Sequence, residues 1–149
     1  MNSTERPRPN WDEYGMLIAR AAAERSPDPY VIVGAAAFRE DHSIISTGYN
    51  GAPQGVEIDW SNRDARRPYV IHAECNCLKY TKPGEPYYLY VTLLPCTNCL
   101  VLCAAYGVKE IVYADLYLRD QEAINNAEKF NIKLRKLQPK REAYHDFLI

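Results

Sequence analysis

No run of apolar residues in this chain approaches the roughly 18 that a membrane-spanning helix needs. Neither sign of charge dominates: 18 lysines and arginines stand against 19 aspartates and glutamates, a formal net charge of -1. The first absence excludes a helical membrane protein. The second removes any global positive field that would recruit a long nucleic acid, so a small anionic substrate must be met by a local basic pocket. The polar, proline-bearing start lacks the apolar core of a secretion signal, and the expected location is the cytoplasm. No internal repeat or composition shift marks a boundary. The expectation is one domain over residues 1–149, with a flexible arm over 1–10 and a C-terminal tail over 139–149. That tail ends in Tyr144, Phe147, Leu148 and Ile149, apolar enough to dock on the body or on a neighbouring subunit. A disulfide framework is missing too, because the five cysteines are odd in number and crowd between positions 75 and 103. In a reducing compartment such clustering favours metal binding or catalysis.

Along the chain, Trp11, Tyr14, Leu17, Ile18, Ala21 and Ala22 recur at three- and four-residue steps, which predicts a helix to about Arg25. Asn10 is its expected N-cap, and Pro27 with Pro29 stops it. Residues 30–38 and 43–49 read as two strands of a hairpin across a polar turn. Residues 48–55 contain three glycines and a proline, either a plain surface turn or a loop whose backbone approaches a ligand closely. Residues 56–68 are polar, with Arg63, Arg66 and Arg67 near Trp60 and Asp64. They read as a solvated loop, or as one that contacts phosphate or another subunit. A helix from 71–73 to Tyr80 follows, then a strand over 87–94 and a helix over 96–106 opened by Pro95 and closed by Gly107. After a strand over 109–114, Asp120 is expected to cap a helix to Phe130, with Asn131 as its left-handed stop. The strand expected over 132–137 alternates apolar and basic residues, as one solvated face requires. Strand-helix alternation in the second half demands parallel neighbours. The fold class is therefore α/β, a five-stranded mixed sheet flanked by helices.

The chemistry concentrates in His72-Ala73-Glu74 and Pro95-Cys96-Thr97-Asn98-Cys99. One imidazole and two thiolates are a zinc set that leaves a fourth position for water, and Glu74 is the base beside it. Helix N-termini favour thiolate over thiol, which prepares Cys96 and Cys99 for metal. A redox Cys-x-x-Cys pair gives His72 and Glu74 no role, and a structural zinc site lacks its second Cys-x-x-Cys. The reaction that needs this set is hydrolytic removal of an exocyclic amine from a nucleobase. Cys75, Cys77 and Cys103 read as small buried helix positions rather than a second metal site. His42 and His145 have no partners at ligand spacing and read as surface residues.

The pairing of H-x-E with P-C-x-x-C is the signature of zinc nucleobase deaminases. Over roughly residues 10–137 the chain resembles the cytidine deaminase superfamily, and within it the deoxycytidylate deaminases. The likeness rests further on Trp11-Asp12-Glu13-Tyr14, Arg25-Ser26-Pro27-Asp28-Pro29, Val33-Gly34-Ala35 and Gly48-Tyr49-Asn50-Gly51-Ala52-Pro53. Tyr69-Val70-Ile71-His72-Ala73-Glu74 with Asn76, and Gly107-Val108-Lys109-Glu110, complete it. The resemblance implies a three-layer α/β/α fold, one catalytic zinc per subunit, and conversion of dCMP to dUMP and ammonia for thymidylate synthesis. It implies that Asn50 bonds the sugar and that the Ala73 N–H holds the pyrimidine carbonyl; Arg25 and Ser26 are candidates for the 5′-phosphate, or else a helix-end salt bridge, and Tyr117 for a pocket lip, or else a core-edge aromatic. Arg63, Arg66 and Arg67 rival Arg25 because arginine binds phosphate bidentately. A homo-oligomer, commonly a hexamer, is implied, with dCTP and dTTP as effectors near Gly48, Tyr49, Asn50 and Gly51. Residues 55–72 are shorter than in several family members and lack ligands for the second zinc that some carry. Alternative readings are a deaminase of dCTP, of a modified dCMP or of tRNA adenosine, and a non-catalytic, zinc-containing nucleotide sensor.

Overall fold

The computed structural model describes residues 6–116 and 121–138 of the chain. Helix α1 (Trp11–Ala23) starts at Asn10, whose side chain accepts the Glu13 N–H at 2.8 Å while the Glu13 carboxylate accepts the Asn10 N–H at 2.8 Å. This reciprocal cap satisfies two donors that the first turn would otherwise leave open. The helix ends before Arg25 because Arg25 and Ser26 bond back only three residues, to Ala22 and Ala23, tightening the last turn. Of the arm expected over residues 1–10, the described part is docked, since Pro7 is buried and Asn10 caps α1.

Strands β1 (Gly34–Phe38) and β2 (Ile44–Tyr49) form the expected antiparallel hairpin, with Gly34 opposite Tyr49. β1 is shorter than the apolar run 30–38 for a local reason. The Val33 N–H and Val31 carbonyl bond the Asn50 side chain instead of a neighbouring strand. Helix α2 spans Ala73–Leu78, strand β3 Tyr88–Leu93, helix α3 Thr97–Ala105, strand β4 Glu110–Asp115, helix α4 Gln121–Lys129 and strand β5 Lys133–Lys136. The sheet order is β2-β1-β3-β4-β5. β1 is antiparallel to both neighbours, whereas β3, β4 and β5 run parallel. Gly107 at φ 86 and Asn131 at φ 57 turn the chain after α3 and α4 through the left-handed region.

Period-two alternation divides the core into two faces. Ala36, Phe38, Tyr90 and Val112 pack with Met16 and Ala19 of α1. Ala35, Ala37, Leu89, Val91 and Ile111 pack with residues of α2, α3 and α4. Among the described residues the result is three layers, with α1 on one side and α2, α3 and α4 on the other, where the starts of α2 and α3 lie close together. β5 departs from the solvated-face expectation, because Arg135 pairs with Asp12 of α1 and with Glu110 of β4. His42 departs from the surface expectation. It sits at φ 69 in the hairpin turn, half-buried between the Trp11 ring at 4.5 Å and the Tyr88 ring at 4.8 Å. The expected Asp120 cap, Tyr117, His145 and the 139–149 tail lie outside the described residues. Among those described, no helix is long and apolar enough to cross a membrane.

Candidate active site and metal centre

Two helix starts build the site. His72 is the N-cap of α2 and Glu74 its second residue, while Cys96 is the N-cap of α3 and Cys99 its third residue. The α2 start is strapped in place by the loop after β2. Gly51 and Ile71 exchange backbone hydrogen bonds at 3.1 and 2.8 Å, and the Asn76 amide donates to the Tyr49 carbonyl at 2.7 Å. Gly48 lies so close to α2 that an added Cβ would overlap the Cys77 amide nitrogen. The glycine therefore permits backbone approach, as its type suggests, but to a helix of the same chain. In the stretch read as effector-binding, Gly48, Tyr49, Asn50 and Gly51, the Asn50 and Gly51 N–H groups and the Tyr49 and Gly51 carbonyls are bonded within the chain and strap the end of β2 to the start of α2.

His72 Nδ1 lies 3.2 Å from Cys99 Sγ and 3.6 Å from Cys96 Sγ. All three ligand atoms fall within 4.8 Å of one another. A tetrahedral zinc site with ordinary metal–N and metal–S bonds has ligand–ligand edges of roughly 3.6 Å, so the donor set fits zinc in both chemistry and spacing. Three protein ligands are the number a catalytic zinc uses, with the fourth position open. Glu74 is buried beside them at 4% exposure. Burial pushes its carboxyl above the usual range, as suits a proton carrier near neutral pH.

The surroundings of the two thiols act on them in opposite directions. Hydrogen bonds from Cys99 and then His72 hold Cys96 down at about 4. Cys99, bonded to Cys96 and buried, is pushed well above an ordinary thiol. Each sulfur is the largest influence on the other, so the two thiols titrate as one coupled pair, with the thiolate character expected of a helix start appearing at Cys96. The Cys96 hydrogen bond raises His72 above the usual imidazole range. Cys77 and Cys103 are buried as expected, while Cys75 is half-buried.

A cavity of about 380 Å³ opens onto this end, with His72, Ala73, Glu74 and Cys96 at one side and Val31, Val33, Leu93 and Leu94 as apolar walls. Ala73, as the first residue of α2, has no intrahelical acceptor for its N–H. Asn50 lines the same cavity, but its amide protons go to the Val31 carbonyl at 3.0 Å and Asp28 at 3.3 Å, and its oxygen accepts the Val33 N–H at 2.8 Å. Only the second lone pair of that oxygen remains for a ligand. Arg25 is exposed and does not line the cavity. Ser26 does not line it either, since its hydroxyl donates to the Asn50 carbonyl at 2.8 Å. The structure thus brings neither of these two phosphate candidates into the cavity lining. The feature unseen in the sequence is a buried ion pair in the cavity wall, Arg66 to Asp28 at 2.8 Å with side chains 7% and 0% exposed. Proline on both sides of Asp28 shows a turn, and no local pattern shows the cation that joins it from 38 positions away.

Comparison with known proteins agrees with this geometry. The family model described as the cytidine and deoxycytidylate deaminase zinc-binding region matches residues 9–115. The deoxycytidylate deaminase of Homo sapiens is 35% identical, over 87% of this chain and 81% of its own length. That of Mycobacterium phage D29 is 39% identical, over 71% and 95% respectively. The crystal structure of dCMP deaminase from the cyanophage S-TIM5, in complex with dCMP and dUMP, superposes with a TM-score of 0.75 at 27% identity. That superposition covers 88% of this chain and 99% of the phage chain.

Proposed function

The chain belongs to the cytidine and deoxycytidylate deaminase family, and from that membership we propose that it hydrolyses dCMP to dUMP and ammonia. The observation that carries the reading is the His72, Cys96 and Cys99 cluster with buried Glu74 on one side of a cavity of nucleotide size. His72, Cys96 and Cys99 would hold the zinc. When bound, the ion supplies the Lewis acidity that lets water attack near neutral pH. Glu74 takes up one proton of the attacking water and delivers it to the ring nitrogen of cytosine, then takes up the second from the hydroxyl now on the ring carbon and passes it to the departing amine, which leaves as ammonia. Its buried position keeps bulk water from short-circuiting the transfer. Val31, Val33 and Leu93 supply apolar walls for the base and sugar, and the free Ala73 N–H suits the pyrimidine carbonyl.

Family membership also supports assembly into a homo-oligomer, a hexamer by likeness, with dCTP and dTTP as effectors and a cytoplasmic location. Light scattering with and without each triphosphate tests the first two. For the reaction, the zinc-loaded protein is incubated with a panel of cytosine nucleosides, nucleotides and RNA while ammonia release is followed. Turnover of dCMP above all others is expected. Failure to deaminate any cytosine nucleotide overturns the proposal.

A further inference from the structure

Residues 56–66 contain no helix or strand, yet they are pinned to one short segment beside the cavity. The Tyr30 hydroxyl donates to the Ser61 carbonyl at 3.0 Å, and Arg66 pairs with Asp28 at 2.8 Å. The guanidinium groups of Arg66 and Arg63 lie 5.1 and 5.6 Å from the Tyr30 ring centre. Trp60 covers Arg66 from a further 5.9 Å. These contacts hold the loop at the cavity, where Arg63, Arg66 and Arg67 contribute to the same lining as His72 and Glu74.

The charges there do not cancel. Asp28 neutralises Arg66, but the buried Arg66 Nε–H has no acceptor among the described residues. Arg67 has only Asp64 nearby, at 3.9 Å with both side chains largely in water, so little of its charge is met. Arg63 rests on an aromatic ring rather than a carboxylate. Among the described residues Arg63 and Arg67 thus bring largely unmet positive charge to a cavity lining that the Asp28–Arg66 pair holds in place, which complements a phosphomonoester carrying a charge of about -1.5 to -2 at neutral pH.

We infer that Arg63, Arg66 and Arg67 are the phosphate-binding side of the cavity and take the 5′-phosphate of a deoxynucleoside monophosphate; this rests on the cytosine-nucleotide reading above. The role passes from Arg25, which the end of α1 leaves outside the cavity, to a loop that an ion pair locks against it.

The test compares the zinc-loaded parent with Arg63→Gln, Arg67→Gln, the double variant and Arg25→Gln. Arg66 is spared because its loss strands Asp28 in the interior and compromises folding. The readouts are the ratio of kcat/KM for dCMP to that for deoxycytidine, and the dissociation constant of dUMP. The ratio is independent of the fraction of protein folded. Each single variant is expected to lower it by about tenfold or more and the double variant by about a hundredfold, as loss of charge-assisted hydrogen bonds implies. Arg25→Gln should move it less than twofold. A ratio that follows Arg25 and ignores Arg63 and Arg67 overturns the inference. If the parent turns over no cytosine compound, the reaction reading fails by itself. dUMP binding then decides the phosphate side, and equal affinity in parent and double variant rejects it.

Discussion

Removing the Asp28 carboxylate is the sharpest probe of how the cavity wall is held. In Asp28→Ala the Arg66 guanidinium loses its one ion-pair partner among the described residues while its side chain stays 7% exposed. Breaking a buried pair from one side costs about 3–5 kcal/mol, because the remaining charge stays desolvated. The same carboxylate accepts the Tyr30 N–H at 2.8 Å and the Asn50 amide at 3.3 Å, so the full cost should sit at the upper end of that range. Asp28→Ala/Arg66→Met removes both charges and leaves an apolar contact. The double variant should therefore be about 2–3 kcal/mol more stable than the sum of the single effects allows. Urea unfolding of the zinc-saturated protein, with all four corners of the cycle at one pH, measures that coupling. Strict additivity, or a cost for Asp28→Ala below ~1 kcal/mol, would show that the pair is solvated in solution and that the wall stands without it.

Other outcomes follow from the same geometry. Glu74→Gln should retain zinc but lose at least ~10² in kcat, since the amide keeps the shape and removes the proton carrier; zinc content and ammonia release check both halves. Cys99→Ser should release the metal, and elemental analysis showing full zinc would refute the ligand set. Zinc binding should expel protons. Cys99 holds its proton far above the usual thiol range and His72 is raised, whereas Cys96 at about 4 is already ionised. Affinity must therefore weaken as pH falls through the raised His72 value, and calorimetry in two buffers at pH 7 should register release of about one proton or more. Gly48→Ala should push β2 from α2, cost about 1–3 kcal/mol in denaturant and weaken zinc binding, because the added methyl meets backbone that cannot move aside.

Element types were legible because their causes are local. The Asn10 cap, the Gly107 and Asn131 stops and the apolar steps of α1 act within a few residues, and each appears where the pattern placed it. The metal ligands were legible for the same reason, as His72 and Glu74 share one helix start and Cys96 and Cys99 another. Where expectation and structure part, a distant partner intervenes. Asn50 draws Val31 and Val33 off the strand, Trp11 and Tyr88 enclose His42, and Asp12 claims Arg135.

The sequence by itself thus determined the strand and helix inventory and the pairing of His72 and Glu74 at one helix start with Cys96 and Cys99 at another, because spacing along one backbone carries them. Tertiary structure alone decided that Arg66 rather than Arg25 lines the cavity, that Gly48 packs against a helix, and that a buried ion pair holds the cavity wall. Each of those depends on the distance between atoms on separate segments, and distance sets burial, charge pairing and hydrogen-bond competition in ways that no local pattern records.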